Sequence, residues 1–94
     1  MKFEDLMVNR IVCAAVKCNR TGIVICGVRH FDRIMCRQLD ILKDQVSGEF
    51  DEGFVDKFGQ YHTRESAWII AVGANQIIRL VDNQTTELYS ENIY

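Results

Sequence analysis

The sequence predicts an α+β fold: a small antiparallel sheet, made of an N-terminal hairpin plus short strands, packed with two main α-helices. Three observations carry this. Two β-branched runs, residues 11–18 and 23–28, flank the turn Asn19-Arg20-Thr21-Gly22. From Phe31 the apolar spacing changes to three and four residues, the period of a helix. A second stripe with that period follows Thr63. At 94 residues the chain has room for one core, so a single domain over 1–94 is expected.

Residues 1–9 show no clear period and read as a lead-in. Ile11-Val12-Cys13-Ala14-Ala15-Val16-Lys17-Cys18 reads as a strand buried on both faces. Gly22 is free to take positive φ in the turn, and Ile23 to Val28 returns as the second strand. Phe31, Ile34, Met35, Gln38, Leu39 and Leu42 share one helical face, with Asp32 and Lys43 suited to the two ends of the helix dipole. The polar stretch 44–53, with Glu49, Asp51 and Glu52, reads as a loop. Residues 53–56 and 59–62 read as two very short strands around a turn. Thr63 is a good N-cap, and Ala67, Ile70, Ala71, Ala74, Ile77, Ile78 and Val81 extend one stripe through a long second helix. Gly73 within it predicts close packing; Trp68 and Ile69 fall off the stripe and mark a second contact surface. The tail Leu88 to Tyr94 is too apolar to be left in water and is expected to dock.

Eleven basic and thirteen acidic residues give a net charge of −2. That excludes a protein that coats duplex nucleic acid, whose affinity rests on neutralising many phosphates. A small phosphorylated ligand needs only a few donors, and seven of the basic residues are Arg. Arg29, Arg33 and Arg37 recur every four residues; Arg33 and Arg37 read first as a solvated helix face. The apolar run 11–16 falls well short of the ~20 residues of a membrane span. Met1-Lys2-Phe3-Glu4-Asp5 lacks the basic start of a signal peptide, so a cytoplasmic protein is expected. The four cysteines, at 13, 18, 26 and 36, show no CxxC spacing; they read as reduced, space-filling residues, and no metal or cofactor site is indicated.

Neither His30 nor His62 sits in an HExxH or HxxxH arrangement, and no GxSxG, GxGxxG or GxxxxGK[ST] is present. Satisfied or ligand-contacting histidines are therefore expected ahead of catalytic ones. Two junctions remain: Arg29-His30 at a strand-to-helix corner, and Arg64 in the first turn of the second helix, near Phe54, Phe58 and Tyr61. Arginine for phosphate and an aromatic face for a base is a common division in nucleotide recognition. Spacing alone favours a plainer account, with the aromatics in the core and Arg64 paired to Glu65 or Asp56.

Arg29-His30, Gly53-Phe54-Val55-Asp56, Gly59-Gln60-Tyr61, Arg64, Ala67 with Ile70-Ala71, Gln76-Ile77 and Leu88-Tyr89-Ser90-Glu91-Asn92 together change that balance. This series resembles the first-described type of Thoeris anti-defence proteins, small phage sponges that bind cyclic ADP-ribose signals made by bacterial TIR proteins without cleaving them. The resemblance matches Arg29 and His30 to the strand-end pair, Phe54 to the aromatic after glycine and Arg64 to the helix-start arginine. It implies a homo-oligomer, dimer or hexamer, with cyclic ADP-ribose isomers as partners and cyclic di- or trinucleotides as a further class. No catalysis is implied. Two positions depart from the pattern: Ser66 stands where Glu is usual, and Asn75 where Gly is usual.

On that reading Arg29, Arg64 and Arg79 would hold the pyrophosphate, Phe54 or Tyr61 would stack on adenine, and Asn92 would read ribose hydroxyls. His30 would border the same site. Two alternatives are a small phage enzyme degrading such signals through His30 or His62, and a protein–protein inhibitor acting through Trp68, Ile69 and the tail.

Overall fold

A computed structural model describes residues 8–84 and 86–94. Four strands, β1 (Ile11–Cys18), β2 (Val24–Gly27), β3 (Phe50–Asp56) and β4 (Tyr61–Thr63), form one antiparallel sheet in the order β2-β1-β3-β4. Helices α1 (Arg33–Ile41), α2 (Arg64–Gly73) and the short α3 (Ser90–Ile93) complete the α+β architecture. The lead-in expected over residues 1–9 falls mostly outside the described residues; of the part described, Asn9 Nδ2 donates to Asp56 Oδ2 at 3.0 Å.

The hairpin forms as its sequence predicts. Gly22 takes φ 76° and donates to Cys18 O at 2.8 Å, and Val16 and Lys17 pair with Ile25 and Val24. Strand β1 is buried less evenly than expected. Ala14, Val16 and Cys18 enter the core, Ala15 is covered on the other face, and Val12 and Lys17 are exposed. The stretch expected as a loop is the larger correction: β3 starts at Phe50 and pairs along β1 as far as Cys18. Gly53 lies at a crowded point in it, where a Cβ would fall 2.6 Å from Tyr61 Oη.

Helix α1 is shorter than its apolar stripe and starts at Arg33. Phe31 adopts a left-handed φ of 57°, and Asp32 caps the helix by accepting from Met35 N at 2.9 Å. The other Asp32 oxygen accepts from Val28 N and Arg29 N, which locks the β2–α1 corner. These main-chain bonds, Met35 first, hold the Asp32 carboxyl below its usual range.

Helix α2 begins as predicted, with Thr63 Oγ1 accepting from Ser66 N at 3.3 Å. It ends at Gly73, well before the expected Val81. Asn75 takes φ 57°, Asn75 N donates to Val72 O and Gln76 N to Ala71 O. That pair of bonds is a Schellman stop, with Asn in the position usually given to Gly. Gly73 has open space where a Cβ would stand, so close packing does not explain it. Beyond the stop, the Gln76 amide donates to Ile11 O and accepts from Ile11 N, both at 2.8 Å, fastening the chain to β1.

Phe54, Val16, Ile25, Met35, Ala67, Ala71 and Leu88 belong to one buried cluster. Trp68 packs against it, so of the expected second contact surface only Ile69 is fully presented, at 73% exposure. The tail docks on the domain: Leu88 is buried, Leu88 N donates to Arg64 O and Ile78 N to Asn92 O. All four cysteines are free, and Cys36 is exposed, not space-filling.

Candidate functional site

The β2–α1 corner, the start of α2 and the docked tail meet around a cavity of about 280 Å³. Arg29 and His30 come from the corner, Glu52 from β3, Arg64 from α2, and Tyr89, Ser90 and Glu91 from the tail. These segments meet because His30 ties three of them together. Its Nε2 lies 2.8 Å from Gly53 O and 3.2 Å from Ala15 O, and its Nδ1 2.8 Å from Ser90 Oγ. Carbonyls only accept, so Nε2 carries the proton and Nδ1 accepts from the Ser90 hydroxyl. His30 N donates back to Ser90 Oγ at 3.2 Å. The ring stands edge-on to Phe54, with centroids 4.9 Å apart at 89°. Burial, and next the charge of Arg64, push the imidazole below its ordinary pKa, so it is held neutral.

Arg64 is the second organiser. Its Nη1 donates to Leu88 O at 2.7 Å and its Nη2 to Glu52 Oε1 at 3.1 Å. The guanidinium lies 5.0 Å from the Tyr89 ring centroid and 5.9 Å from that of Phe54. The tail is thus held against the cavity by the same side chain that presents positive charge there. A more open cleft adjoins the cavity, sharing Glu52 and Arg64 but otherwise lined by Asp51, Thr63, Glu65 and Glu87. Its carboxylates repel anions, so the two spaces differ in the ligand charge they accept.

The chain matches the family model described as phage T4 y16D protein over residues 10–94. It belongs to this family of phage proteins. No curated protein and no solved structure matches it. The two departures noted in the sequence have local explanations. Asn75 occupies the left-handed stop of α2, a conformation that Asn tolerates better than most residues. Ser66 lies three residues after the Thr63 cap, where Glu would complete a reciprocal capping box. Here its hydroxyl lies 3.0 Å from His62 Nδ1 instead.

That contact belongs to a relay. His62 Nε2 lies 2.7 Å from Asp56 Oδ2, and Asp56 is buried and also accepts from Asn9 Nδ2, Phe58 N and Gln60 N. Burial alone would raise the Asp56 pKa, but these four donors outweigh it and hold the carboxyl far below its usual range. Ser66, His62 and Asp56 stand in the order of a nucleophilic relay, yet none of them lines the cavity or the adjoining cleft. Their geometric effect is to join the β3–β4 turn to the start of α2.

Of the residues singled out from sequence, Arg29, His30 and Arg64 line the cavity together. Phe54 is fully buried, with His30 and Arg64 against its ring, so it is core. Tyr61 lies across Gly53, donating to Asp51 O at 3.0 Å, with Lys17 Nζ 5.7 Å from its ring. Arg79 Nη1 donates to Glu91 O at 2.7 Å and Tyr94 O at 2.6 Å, bracing the tail from outside the cavity lining. Asn92 is fully buried, and its amide is spent on Gln84, Tyr89 N and Arg79 O. The aromatic at the cavity is Tyr89, not Phe54 or Tyr61, and Arg64 pairs with Glu52, not Glu65 or Asp56. Sequence reasoning missed Glu52, Tyr89, Ser90 and Glu91 as lining residues; the one signal was the compact Leu88-Tyr89-Ser90-Glu91-Asn92 string.

Among the described residues no His, Cys, Asp and Glu side chains gather as a metal site. No helix among them is long and apolar enough to cross a membrane.

Proposed function

We propose that this phage protein is a sponge: it binds a cyclic ADP-ribose-type immune signal, holds it intact and so counters Thoeris-type bacterial immunity. One observation carries the reading. Arg29 and Arg64, donors suited to a pyrophosphate, line the same cavity as Tyr89, an aromatic suited to a purine. The sequence resemblance and the phage family supply the biological context.

Binding without cleavage is favoured because His30 has both ring nitrogens committed to Ser90, Gly53 and Ala15. His62 is equally committed to Asp56 and Ser66. A general acid or base needs a ring nitrogen within reach of the substrate. The proposal includes a homo-oligomer, dimer or hexamer, as the sequence resemblance implies, in which a second copy of the chain would border the cavity of about 280 Å³. Cyclic di- and trinucleotides are the further ligand class, and the site of action is the host cytoplasm.

Calorimetric titration with cyclic ADP-ribose isomers tests this. Saturable binding by the wild type, lost in Arg64→Ala without loss of the folded signal, is the expected result. No heat of binding from any isomer would remove the proposal.

A further inference from the structure

We propose that Glu52 is an internal counter-ion, displaced from Arg64 by the anionic ligand, and that it thereby sets how tightly the cavity takes phosphate. The inference rests on the reading of the cavity as a nucleotide site. Its ground is an asymmetry in how Arg64 is held. Leu88 O fixes Nη1 at 2.7 Å, and the rings of Tyr89 and Phe54 flank the guanidinium at 5.0 and 5.9 Å. None of these contacts neutralises its charge. Glu52 alone does so, at 3.1 Å through Nη2, and no other acidic side chain among the described residues forms an ion pair with Arg64.

The pair is built to be exchanged. The Glu52 side chain is 42% exposed against 18% for that of Arg64, so the acid is the partner more open to water. An ion pair with one partner this open to water is held only weakly. A phosphate that offers more negative charge, and two oxygens to one guanidinium, competes well against it. Glu52 also borders the open neighbouring cleft, which gives a released carboxylate water to turn into. Arg64 meanwhile keeps Leu88 and its aromatic flanks, so the binding group stays in place while its counter-ion leaves.

The sign of one substitution decides the matter. If Glu52 is a displaced counter-ion, Glu52→Gln strengthens binding of an anion. If Glu52 instead orients Arg64, or accepts a ribose hydroxyl, the same change weakens it. Calorimetry of wild type and Glu52→Gln should use cyclic ADP-ribose and inorganic pyrophosphate, at low and physiological salt. The expected result is binding about two- to fivefold tighter in Glu52→Gln for both probes, with a steeper loss on adding salt. Arg64→Ala in the Glu52→Gln background must abolish the gain. Wild-type binding with an equal or weaker Glu52→Gln overturns the counter-ion role and leaves the cavity reading intact. A gain that survives Arg64→Ala overturns it as well. No binding by either protein overturns both readings together.

Discussion

His30 and Ser90, sixty positions apart, share two hydrogen bonds: His30 N donates to Ser90 Oγ at 3.2 Å, and the Ser90 hydroxyl meets His30 Nδ1 at 2.8 Å. One serine thus fastens the tail to the β2–α1 corner and donates to the Nδ1 that the carbonyls at Nε2 leave without a proton. Ser90→Ala leaves Nδ1 and His30 N without this partner in a largely buried place. It is expected to cost about 1–3 kcal/mol, read as a lower urea midpoint with an unchanged slope.

His30 also sets a pH dependence. Its pKa is depressed in the folded protein, so on acidification the unfolded chain takes up the proton first, near its ordinary ~6.5. The stability it contributes is present above that pH and declines below it. Urea unfolding of wild type against His30→Asn between pH 7.5 and 5 checks this: the wild type should lose stability over that window more steeply than the variant.

Asp56 acts lower on the scale with the same sign. Its folded pKa lies far below the ~3.9 of an unfolded aspartate, so its contribution is present above that value and lost as pH falls below it. Asp56→Asn weakens the bonds from Asn9, Phe58, Gln60 and His62 together. A loss of about 2–3 kcal/mol at pH 7, shrinking toward pH 3, is expected in denaturant titrations.

At the end of α2, Asn75 holds φ 57°. Asn75→Gly relieves the side chain of that conformation and is expected to be neutral or stabilising by up to ~1 kcal/mol. Asn75→Ala should cost about 1 kcal/mol instead. Melting temperatures of the two variants, moving apart in these directions, check the Schellman stop.

Arg64→Lys separates charge from shape. A lysine keeps the positive charge but cannot bridge Leu88 and Glu52 while stacking on Tyr89. Ligand affinity is expected to fall at least about tenfold, with the fold retained by circular dichroism.

The hairpin was legible because two β-branched runs and a glycine turn say the same thing. Residues 53–56 of β3 were legible as a short strand, but its first half was hidden because the alternate positions Phe50, Glu52, Phe54 and Asp56 mix aromatics with acids, and no apolar period marks them. Two of those acids find partners only in the folded chain, Glu52 at Arg64 and Asp56 at His62. The stop of α2 was hidden because Ala74, Ile77, Ile78 and Val81 continue the helical spacing, while one backbone angle at Asn75 ends it. Arg29, His30 and Arg64 could be read as site residues because they sit at element junctions, where side chains converge. Tyr89, Ser90 and Glu91 could not, since their place depends on long-range bonds from His30 and Arg64 to the tail.

Capture and release reads the holding of an intact signal directly. The pure protein is incubated with cyclic ADP-ribose isomers, freed of unbound ligand, denatured by heat, and the released material is analysed by chromatography. Intact ligand, recovered in proportion to protein and absent with Arg64→Ala, is the expected outcome. Recovery of a converted product, or of no nucleotide at all, would contradict it.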